Sequence, residues 1–445
     1  MKKKLLIPIL ILIAFIIGAL VCFLVIPTVS VQGDTGISIL EMINAKLVYV
    51  FYGIGAFLLL CMALTVIFAL LVLFKGKSGD AKKGGGKGRF ARLSQIDEEK
   101  KRYKAPEYEE QVTLESFCRR FREYAASELK LYYSEEDIRA FVAGLGVSKF
   151  QIMQGMSGTG KTSLAYALGK FLQNDSAIIP VLPMWKERAD TLGYFNEFTG
   201  RFNETPLLEK LYEAGYTDEM CVVVLDEMNI ARVEYYFAEF LSLLELPDPD
   251  ARLIDVVFDR WKHDPKHLER GRLRIPTNVW FIGTANNDDS TFAISDKVYD
   301  RAMIMNMDQR AQPFEAPGAQ AIRISASAFE ELCAKAQEQY TLSEESLAKL
   351  ETLDAFLAEH LRITFGNRIM KQIKAYVSMY VACGGTEEQA LDDIVCKKVF
   401  RKMEALNPML IKNVSVTLEE ELDRLWGKKG MPQCRKALAR LLMLS

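Results

Sequence analysis

A glycine-rich string near the middle of the chain strongly limits the folds that this sequence can adopt. Residues 155–162 read GMSGTGKT, which fits the phosphate-loop (Walker A) pattern: two glycines separated by four residues, then Lys and Ser or Thr. A triphosphate needs a backbone that wraps it with N–H groups, and glycine permits that close approach. A short apolar stretch, Phe150 to Met153, precedes the string, and an amphipathic helical pattern follows it. The sequence therefore predicts an α/β domain that binds a nucleoside triphosphate.

The residue types in this string have expected roles. Lys161 is expected to reach the β- and γ-phosphates, and the Thr162 hydroxyl is expected to ligate Mg²⁺. The predicted nucleotide-binding set is Gly155, Ser157, Gly158, Thr159, Gly160, Lys161, Thr162 and Ser163.

An acidic pair follows a second apolar run, CVVVLDE at 221–227. Its valines are typical of a strand that is buried on both faces. Asp226 then lies at the carboxyl end of that strand, where open α/β sheets bind their ligands, and its carboxylate can hold Mg²⁺ directly or through water. Glu227 can orient and deprotonate an attacking water. The alternative, that Asp226 only caps the next helix, is disfavoured by the phosphate loop upstream.

A third apolar run also ends in polar residues, VWFIGTANN at 279–287. An amide at the end of this strand can hydrogen-bond the γ-phosphate or the attacking water. Asn286 is the preferred residue and Asn287 the alternate, while a plain turn is the other interpretation of this Asn- and Asp-rich segment.

Two uncharged apolar runs near the N-terminus, Leu5 to Pro27 and Leu47 to Phe74, are long enough to span a bilayer. A signal peptide is the alternative for the first run, but no clear small-residue cleavage site follows it. Lysine and arginine flank the pair on the outer sides, and the connection, residues 28–46, has a single lysine. The positive-inside rule predicts a multi-pass cell-membrane protein with both termini, and hence the predicted nucleotide-binding domain, in the cytoplasm.

The remaining chain divides into a linker and two domains. Residues 76–110 form a linker and charged segment, which begins with a basic Gly/Lys stretch that can lie against anionic headgroups. The highly charged residues 91–112, which reach the start of the next domain, are expected to be irregular. Alternating strand and helix patterns predict a parallel α/β domain over 111–318, and helical patterns predict a C-terminal helical domain over 319–445. The strand candidates are Phe150–Met153, Ala177–Leu182, Met220–Leu225, Val279–Gly283 and Ala302–Met307.

Charge and ligand chemistry exclude some classes of protein. The net charge of −2 argues against a protein that coats nucleic acid. The eight cysteines and three histidines show no spacing typical of a zinc site or of a disulfide framework.

The order of these motifs resembles that of AAA+ ATPases, with a phosphate loop, an acidic strand end, an Asn-tipped strand, an arginine and a helical lid. The segments LDEMNIARVEYYFAEFLSLLE (225–245), PVLPMWKERADTLGYFNEFTGRFNETPLLEKL (180–211) and GTANNDDSTFAISDKVYDRA (283–302) are similar to the McrB-like branch, and the chain is also similar to MoxR-type members. The resemblance covers about residues 110–310 well and the helical tail loosely. It implies the AAA+ fold, a P-loop parallel sheet with a C-terminal helical lid, here preceded by the two-helix transmembrane hairpin of residues 1–75.

The resemblance also implies roles for three residues beyond the phosphate loop. Asn286 matches the first sensor, and Arg301 matches the arginine finger that reaches the γ-phosphate of a neighbouring subunit. Arg368, in FGNRIMKQI, is similar in position to the second sensor on the lid, with a surface arginine as the alternative. Trp185 and Tyr194 belong to the insertion, where a channel-facing position and buried packing are both open for Trp185.

Two departures from the branch bear on function. A membrane hairpin stands where the restriction motor of the branch has a DNA-reading domain, and Asn287 stands where that motor has threonine. ATP is therefore the expected nucleotide, with GTP as the alternative, together with Mg²⁺. The expected protein is a membrane-anchored ATPase that forms a homo-oligomeric ring, with six subunits favoured, and that remodels or moves an unknown protein partner. The alternatives are a nucleotide-switched membrane scaffold in a defence or signalling complex, and a nucleic-acid translocase, although no residue pattern indicates nucleic acid.

Overall fold

A computed structural model describes residues 88–109, 111–286 and 291–443, which belong to one compact unit. The two predicted membrane spans, residues 5–27 and 47–74, lie outside the described residues, as do Asn287 and the linker up to residue 87. No helix within the described ranges combines the length and the apolar composition that crossing a bilayer requires.

A five-stranded parallel sheet forms the centre of the α/β part, in the order β10-β1-β9-β5-β2. Its strands are β1 (Phe150–Gly155), β2 (Ala177–Pro180), β5 (Cys221–Asp226), β9 (Val279–Asn286) and β10 (Met303–Asn306). Each predicted strand is present, and β9 extends three residues beyond the predicted end at Gly283, to Asn286. The fold is therefore α/β with a parallel sheet and a helical C-terminal part.

The sheet is covered on both faces because successive side chains of each strand point to opposite sides. In β5, Val222 and Val224 enter one apolar core, whereas Val223 and Leu225 enter the other. The helices of this part are α1 (Arg92–Lys100), α2 (Leu114–Ser127), α3 (Glu135–Val147), α4 (Lys161–Phe171), α5 (Arg188–Leu192), α6 (Pro206–Ala214), α7 (Val233–Tyr236), α8 (Ala238–Leu244) and α9 (Asp296–Tyr299).

Two small antiparallel sheets are inserted between elements of the main fold. A hairpin of β3 (Gly193–Asn196) and β4 (Arg201–Glu204) follows β2, and a sheet of order β6-β8-β7 precedes β9. Its strands are β6 (Leu253–Asp255), β7 (Leu268–Glu269) and β8 (Arg272–Arg274).

The described chain is mainly helical from residue 326 to residue 443. The helices are α10 (Ala326–Gln339), α11 (Glu344–Leu361), α12 (Gly366–Ala382), α13 (Glu387–Lys398), α14 (Pro408–Trp426) and α15 (Pro432–Met443). Their apolar faces pack into the same core as α2, α3 and α4. The helical part is thus joined to the α/β part by shared apolar packing.

The segment predicted to be irregular, residues 91–112, contains helix α1 instead. Its first N–H groups, those of Ala91, Arg92 and Leu93, donate to the carboxylate of Glu204 at the end of β4. Unpaired N–H groups at a helix start need such an acceptor, and a negative charge there is favourable. The cap comes from a residue far along the chain, so the local sequence does not reveal the helix.

Arg89 fixes the described start of the chain against both insertions. Its side chain is 2% exposed and pairs with Asp264 at 2.8 Å and with Asp259 at 2.6 Å. The guanidinium also lies over the ring of Trp261, 4.5 Å from its centroid, and Trp261 packs edge-on against Phe195 of β3. A cation buried between two carboxylates and an aromatic ring holds these three segments together.

We expect Arg89→Leu to destabilise the folded state by about 3 kcal/mol, because it leaves the Asp264 carboxylate buried without its partner. Asp264 is 5% exposed, whereas Asp259 is 65% exposed and contributes little. Urea-induced unfolding of the full chain measures the change, with Arg92→Leu as the control, since the Arg92 side chain is 60% exposed. Equal midpoints for the two variants would show that the buried pair has no net effect on stability.

Candidate functional site

The phosphate loop joins β1 to α4 in the conformation that its glycines permit. Gly155, Gly158 and Gly160 have φ values of 147°, 76° and 95°, which side chains other than glycine rarely adopt. At Gly155 a Cβ atom would lie 2.3 Å from the carbonyl oxygen of Met307, just after β10. Glycine is therefore required at this position both by its backbone angle and by the neighbouring strand.

Side chains hold the loop through its carbonyl groups. Lys161 is 6% exposed, and its Nζ donates to the carbonyl oxygens of Gly155 at 3.0 Å and Met156 at 2.7 Å. Tyr133 Oη donates to the Gly160 carbonyl at 3.2 Å, and burial raises the pKa of Tyr133, which keeps this donor protonated.

A third brace comes from the segment after β10. Arg310 Nε donates to the carbonyl oxygen of Gly158 at 2.7 Å. All of these side-chain hydrogen bonds, from Tyr133, Lys161 and Arg310, end on carbonyl oxygens of the loop and none uses a loop N–H group.

The acidic strand end meets the loop at Thr162. Thr162 Oγ1 donates to Asp226 Oδ1 at 2.6 Å, and Thr284 Oγ1 of β9 donates to the same oxygen at 2.8 Å. Hydroxyl and carboxylate oxygens are hard ligands, and Mg²⁺ in phosphate sites is held by one or two protein oxygens together with phosphates and waters. Thr162 and Asp226 therefore fit a magnesium–nucleotide. No cluster of three or more His, Cys, Asp or Glu side chains suited to a metal occurs among the residues that the structure describes.

Glu227 follows Asp226 in a conformation that is rare for a residue with a side chain. Its φ and ψ are 52° and 46°, and its backbone N–H donates to Thr284 Oγ1 at 2.9 Å. This reversal separates the two carboxylates, because Asp226 faces Thr162 while Glu227 is exposed. Strained backbone of this kind persists where surrounding contacts fix it, and it clusters at functional sites.

The tip of β9 lies beside the loop. Asn286 is in register with Gly155 on the neighbouring strand β1. Asn229, which is 4% exposed, fixes the backbone of Asn286: its Nδ2 donates to the Asn286 carbonyl at 2.8 Å, and its Oδ1 accepts from the Asn286 N–H at 3.3 Å. The carbonyl of Phe292 also accepts from Asn229 Nδ2 at 3.3 Å.

Sequence reasoning did not identify Asn229 or Thr284 as parts of the site. Both are polar residues among apolar neighbours, Asn229 in the turn after Glu227 and Thr284 within β9. Buried polar side chains need partners, and that rule was the available signal. It would have marked the residues without revealing that they join β5 to β9.

The two predicted arginines lie together, away from the loop. Arg301 Nε is 3.1 Å from Glu245 Oε2, and Arg368 Nη2 is 2.9 Å from Glu245 Oε1. Arg301 precedes β10, whose Met303 is in register with Gln151 near the start of β1. In this register Met303, the first residue of β10, lies four residues before the level of Gly155, which is about 13 Å along the strand direction. The structure does not bring either arginine to the phosphate loop of its own chain.

The two aromatic residues of the insertion differ in burial. Trp185 is 9% exposed and packs edge-on against Tyr236, with ring centroids 5.3 Å apart. Tyr194 on β3 is 53% exposed. Trp185 therefore has a packing role, and Tyr194 is available at the surface of the hairpin.

Comparisons with known proteins place few constraints on this site. A family model described as "Domain of unknown function (DUF8727)" matches residues 321–443. No curated protein matches the chain. The chain is similar to a solved structure described as a "putative ATPase" from Cytophaga hutchinsonii, with 13% identity over 69% of this chain and 96% of that chain and a TM-score of 0.45. It is also similar to an MCM homolog from Methanopyrus kandleri, with 12% identity over 65% and 61% of the two chains and a TM-score of 0.36. Neither likeness assigns a role to a residue here, and the McrB-like branch stays a prediction.

We expect Gly155→Ala to weaken nucleotide binding strongly, because the added Cβ would displace either the loop or the backbone at Met307. Titration of the full chain with a fluorescent ATP analogue measures the affinity, for which we expect a loss of at least about a hundredfold. Gly318→Ala is the matched control, since no atom lies within 4 Å of its added Cβ. Unchanged affinity in Gly155→Ala would contradict the close approach described here.

Proposed function

We propose that this chain is a membrane-anchored ATPase of the AAA+ type that couples ATP hydrolysis to the remodelling or movement of a protein partner. The observation that carries the proposal is the 2.6 Å hydrogen bond between Thr162 and Asp226. It brings together the end of the phosphate loop and the carboxyl end of a buried strand, which are the two parts that a magnesium–nucleotide site requires.

The binding step follows from the braces of the loop. Lys161 donates to two loop carbonyls, and a triphosphate offers stronger, charged acceptors for the same ammonium group. Thr162 and Asp226 would hold Mg²⁺, which neutralises phosphate charge when it is bound.

The hydrolytic step uses the two polar strand ends. Glu227 is exposed at the end of β5 and can accept the proton of the attacking water. Asn286 has its backbone fixed by Asn229 and stands in register with Gly155, so its amide can hold that water in place. Asp226 contacts Thr162, whereas the left-handed backbone of Glu227 turns the Glu227 carboxylate away from that contact.

Completion of the site requires a second copy of the chain. Arg301 pairs with Glu245 and precedes the start of β10, whereas its own loop follows the end of the parallel strand β1, and we assign it to stabilise transition-state charge at a neighbour's nucleotide. Head-to-tail contacts of this kind close into rings, and we propose a ring of six subunits. Arg368 shares Glu245 with Arg301 and so belongs to the same surface.

The membrane part of the proposal rests on the sequence, since the two apolar runs lie outside the described residues. A nucleotide-switched scaffold and a nucleic-acid translocase are the competing functions. The first predicts nucleotide-dependent assembly without steady-state turnover, and the second predicts turnover that nucleic acid stimulates with steep salt dependence.

We expect Glu227→Gln to retain ATP affinity and to lose turnover by about a hundredfold or more, because a positioned general base contributes 10²–10⁴-fold. Steady-state phosphate release and equilibrium ATP binding separate the two effects. Glu331→Gln is the control, since the Glu331 side chain is 66% exposed on α10. Wild-type turnover in Glu227→Gln would refute the assignment of the base, and absence of turnover in the unmodified ring would favour the scaffold.

We expect removal of residues 1–75 to release the chain from membranes. Partition between the membrane pellet and the soluble fraction, after a carbonate wash, measures the anchor. The full chain should stay in the pellet, because two apolar runs of this length partition strongly into hydrocarbon. Extraction of the full chain by the carbonate wash would contradict the proposed membrane anchor.

A further inference from the structure

The segment that carries Arg301 is held by hydrogen bonds from the C-terminal helices. Helix α9 has only four residues, and the carbonyl group of its last residue, Tyr299, has no N–H partner within so short a helix. Lys398, the last residue of α13, supplies one: its Nζ donates to the carbonyl oxygen of Tyr299 at 2.8 Å and also to that of Ala302. These two carbonyls flank Arg301 closely in the chain. Lys398 is 1% exposed, so solvent does not compete for these hydrogen bonds.

Further contacts from the C-terminal helices hold the same turn. Arg401 Nη2 pairs with Asp296 Oδ1 at 2.8 Å, and its guanidinium lies 4.0 Å from the centroid of the Tyr299 ring. Gln372 Nε2 of α12 donates to the carbonyl oxygen of Asp300 at 3.2 Å. Helix α9 and the residues after it are therefore positioned by α12, by α13 and by the turn that follows α13.

The other side of the same turn is tied to the phosphate loop. Tyr299 Oη donates to Gln154 Oε1 at 2.7 Å, and Gln154 Nε2 donates to Asn306 Oδ1 at 2.8 Å. Gln154 immediately precedes Gly155 in β1. Tyr299 is thus hydrogen-bonded through its hydroxyl to the strand that enters the loop and through its carbonyl to Lys398.

We propose that Lys398 is a positioning residue for Arg301, and that the Gln154–Tyr299–Lys398 series of hydrogen bonds couples the loop of one subunit to the arginine that it presents to the next. This inference rests on the proposed function, in which Arg301 acts at a neighbour's nucleotide. Lys398 touches no reacting atom itself. It fixes the turn from which Arg301 projects, and a displacement of about 1 Å in a group that stabilises a transition state can cost about a hundredfold in rate.

Lys398→Met removes both hydrogen bonds while nearly keeping the length and volume of the side chain. Both partners of Lys398 are neutral carbonyl groups, so the apolar replacement leaves no buried charge behind. Tyr299→Phe interrupts the series at its other end by removing only the hydroxyl. Lys412→Met, at an exposed position on α14, is the control for the loss of a lysine from the same helices.

The test measures ATP turnover and ATP affinity of full-length variants, alone and in mixtures. Alone, Lys398→Met and Tyr299→Phe should keep KM within about twofold and lose kcat, by about tenfold or more for Lys398→Met. Each variant is then mixed in equal amounts with Lys161→Ala, which lacks a working loop but keeps Arg301, Tyr299 and Lys398. Turnover should recover, because about half of the neighbours of each nucleotide-bearing subunit now present an intact arginine.

A mixture of Arg301→Ala with Lys161→Ala tests the role of Arg301 between subunits separately from the positioning role of Lys398. Without recovery in that mixture, Arg301 does not act between subunits and the proposed function fails. With recovery there but none for Lys398→Met or Tyr299→Phe, the proposed function stands and the positioning role is overturned. Wild-type kcat in Tyr299→Phe also overturns it. If Lys398→Met does not fold, Tyr299→Phe decides the result.

Discussion

The hydrogen bond between Thr162 and Asp226 is the contact on which the rest of the site depends. It joins the first turn of α4 to the carboxyl end of β5, although β9 lies between β5 and β1 in the sheet. Thr284 of β9 bonds the same carboxylate oxygen, so the intervening strand is part of the connection. Parallel strands make this arrangement available because their carboxyl ends all meet at one edge of the sheet. Here Thr162 and Thr284 meet at a single oxygen atom of Asp226.

Two carboxylates that are adjacent in sequence have different surroundings because the backbone reverses between them. Asp226 is engaged by two hydroxyl groups, whereas Glu227 is exposed. The left-handed angles of Glu227 carry a cost of about 1 kcal/mol or more for a residue with a side chain. The hydrogen bond from its N–H to Thr284 helps to hold that geometry. One threonine therefore orients Asp226 with its hydroxyl hydrogen and fixes Glu227 with its hydroxyl oxygen.

Local patterns in the sequence predict the helices and strands of this fold better than they predict the contacts between residues far apart in the chain. The five strands follow from short apolar runs, and the loop follows from its glycines, because both signals lie within a few adjacent residues. Helix α1 was missed since its cap, Glu204, comes from another part of the chain. The pairing of Arg301 with Glu245 and the bracing of Asn286 by Asn229 likewise depend on strand order, which periodicity does not encode. The resemblance to AAA+ ATPases supplied candidate roles for Asn286, Arg301 and Arg368, and those roles stay predictions.

The apolar core that the C-terminal helices share with α2, α3 and α4 has a consequence for how this chain can be divided. Residues 321–443 match a family model of their own, which invites their treatment as a transferable module. The physical boundary is elsewhere, because Lys398 and Arg401 lie inside that range while Tyr299 and Asp296 lie before it. A chimaera cut at residue 320 would sever a polar interface as well as an apolar one. Evolutionary exchange of the C-terminal helices between related chains would thus require matched changes in helix α9 and in the residues between it and β10.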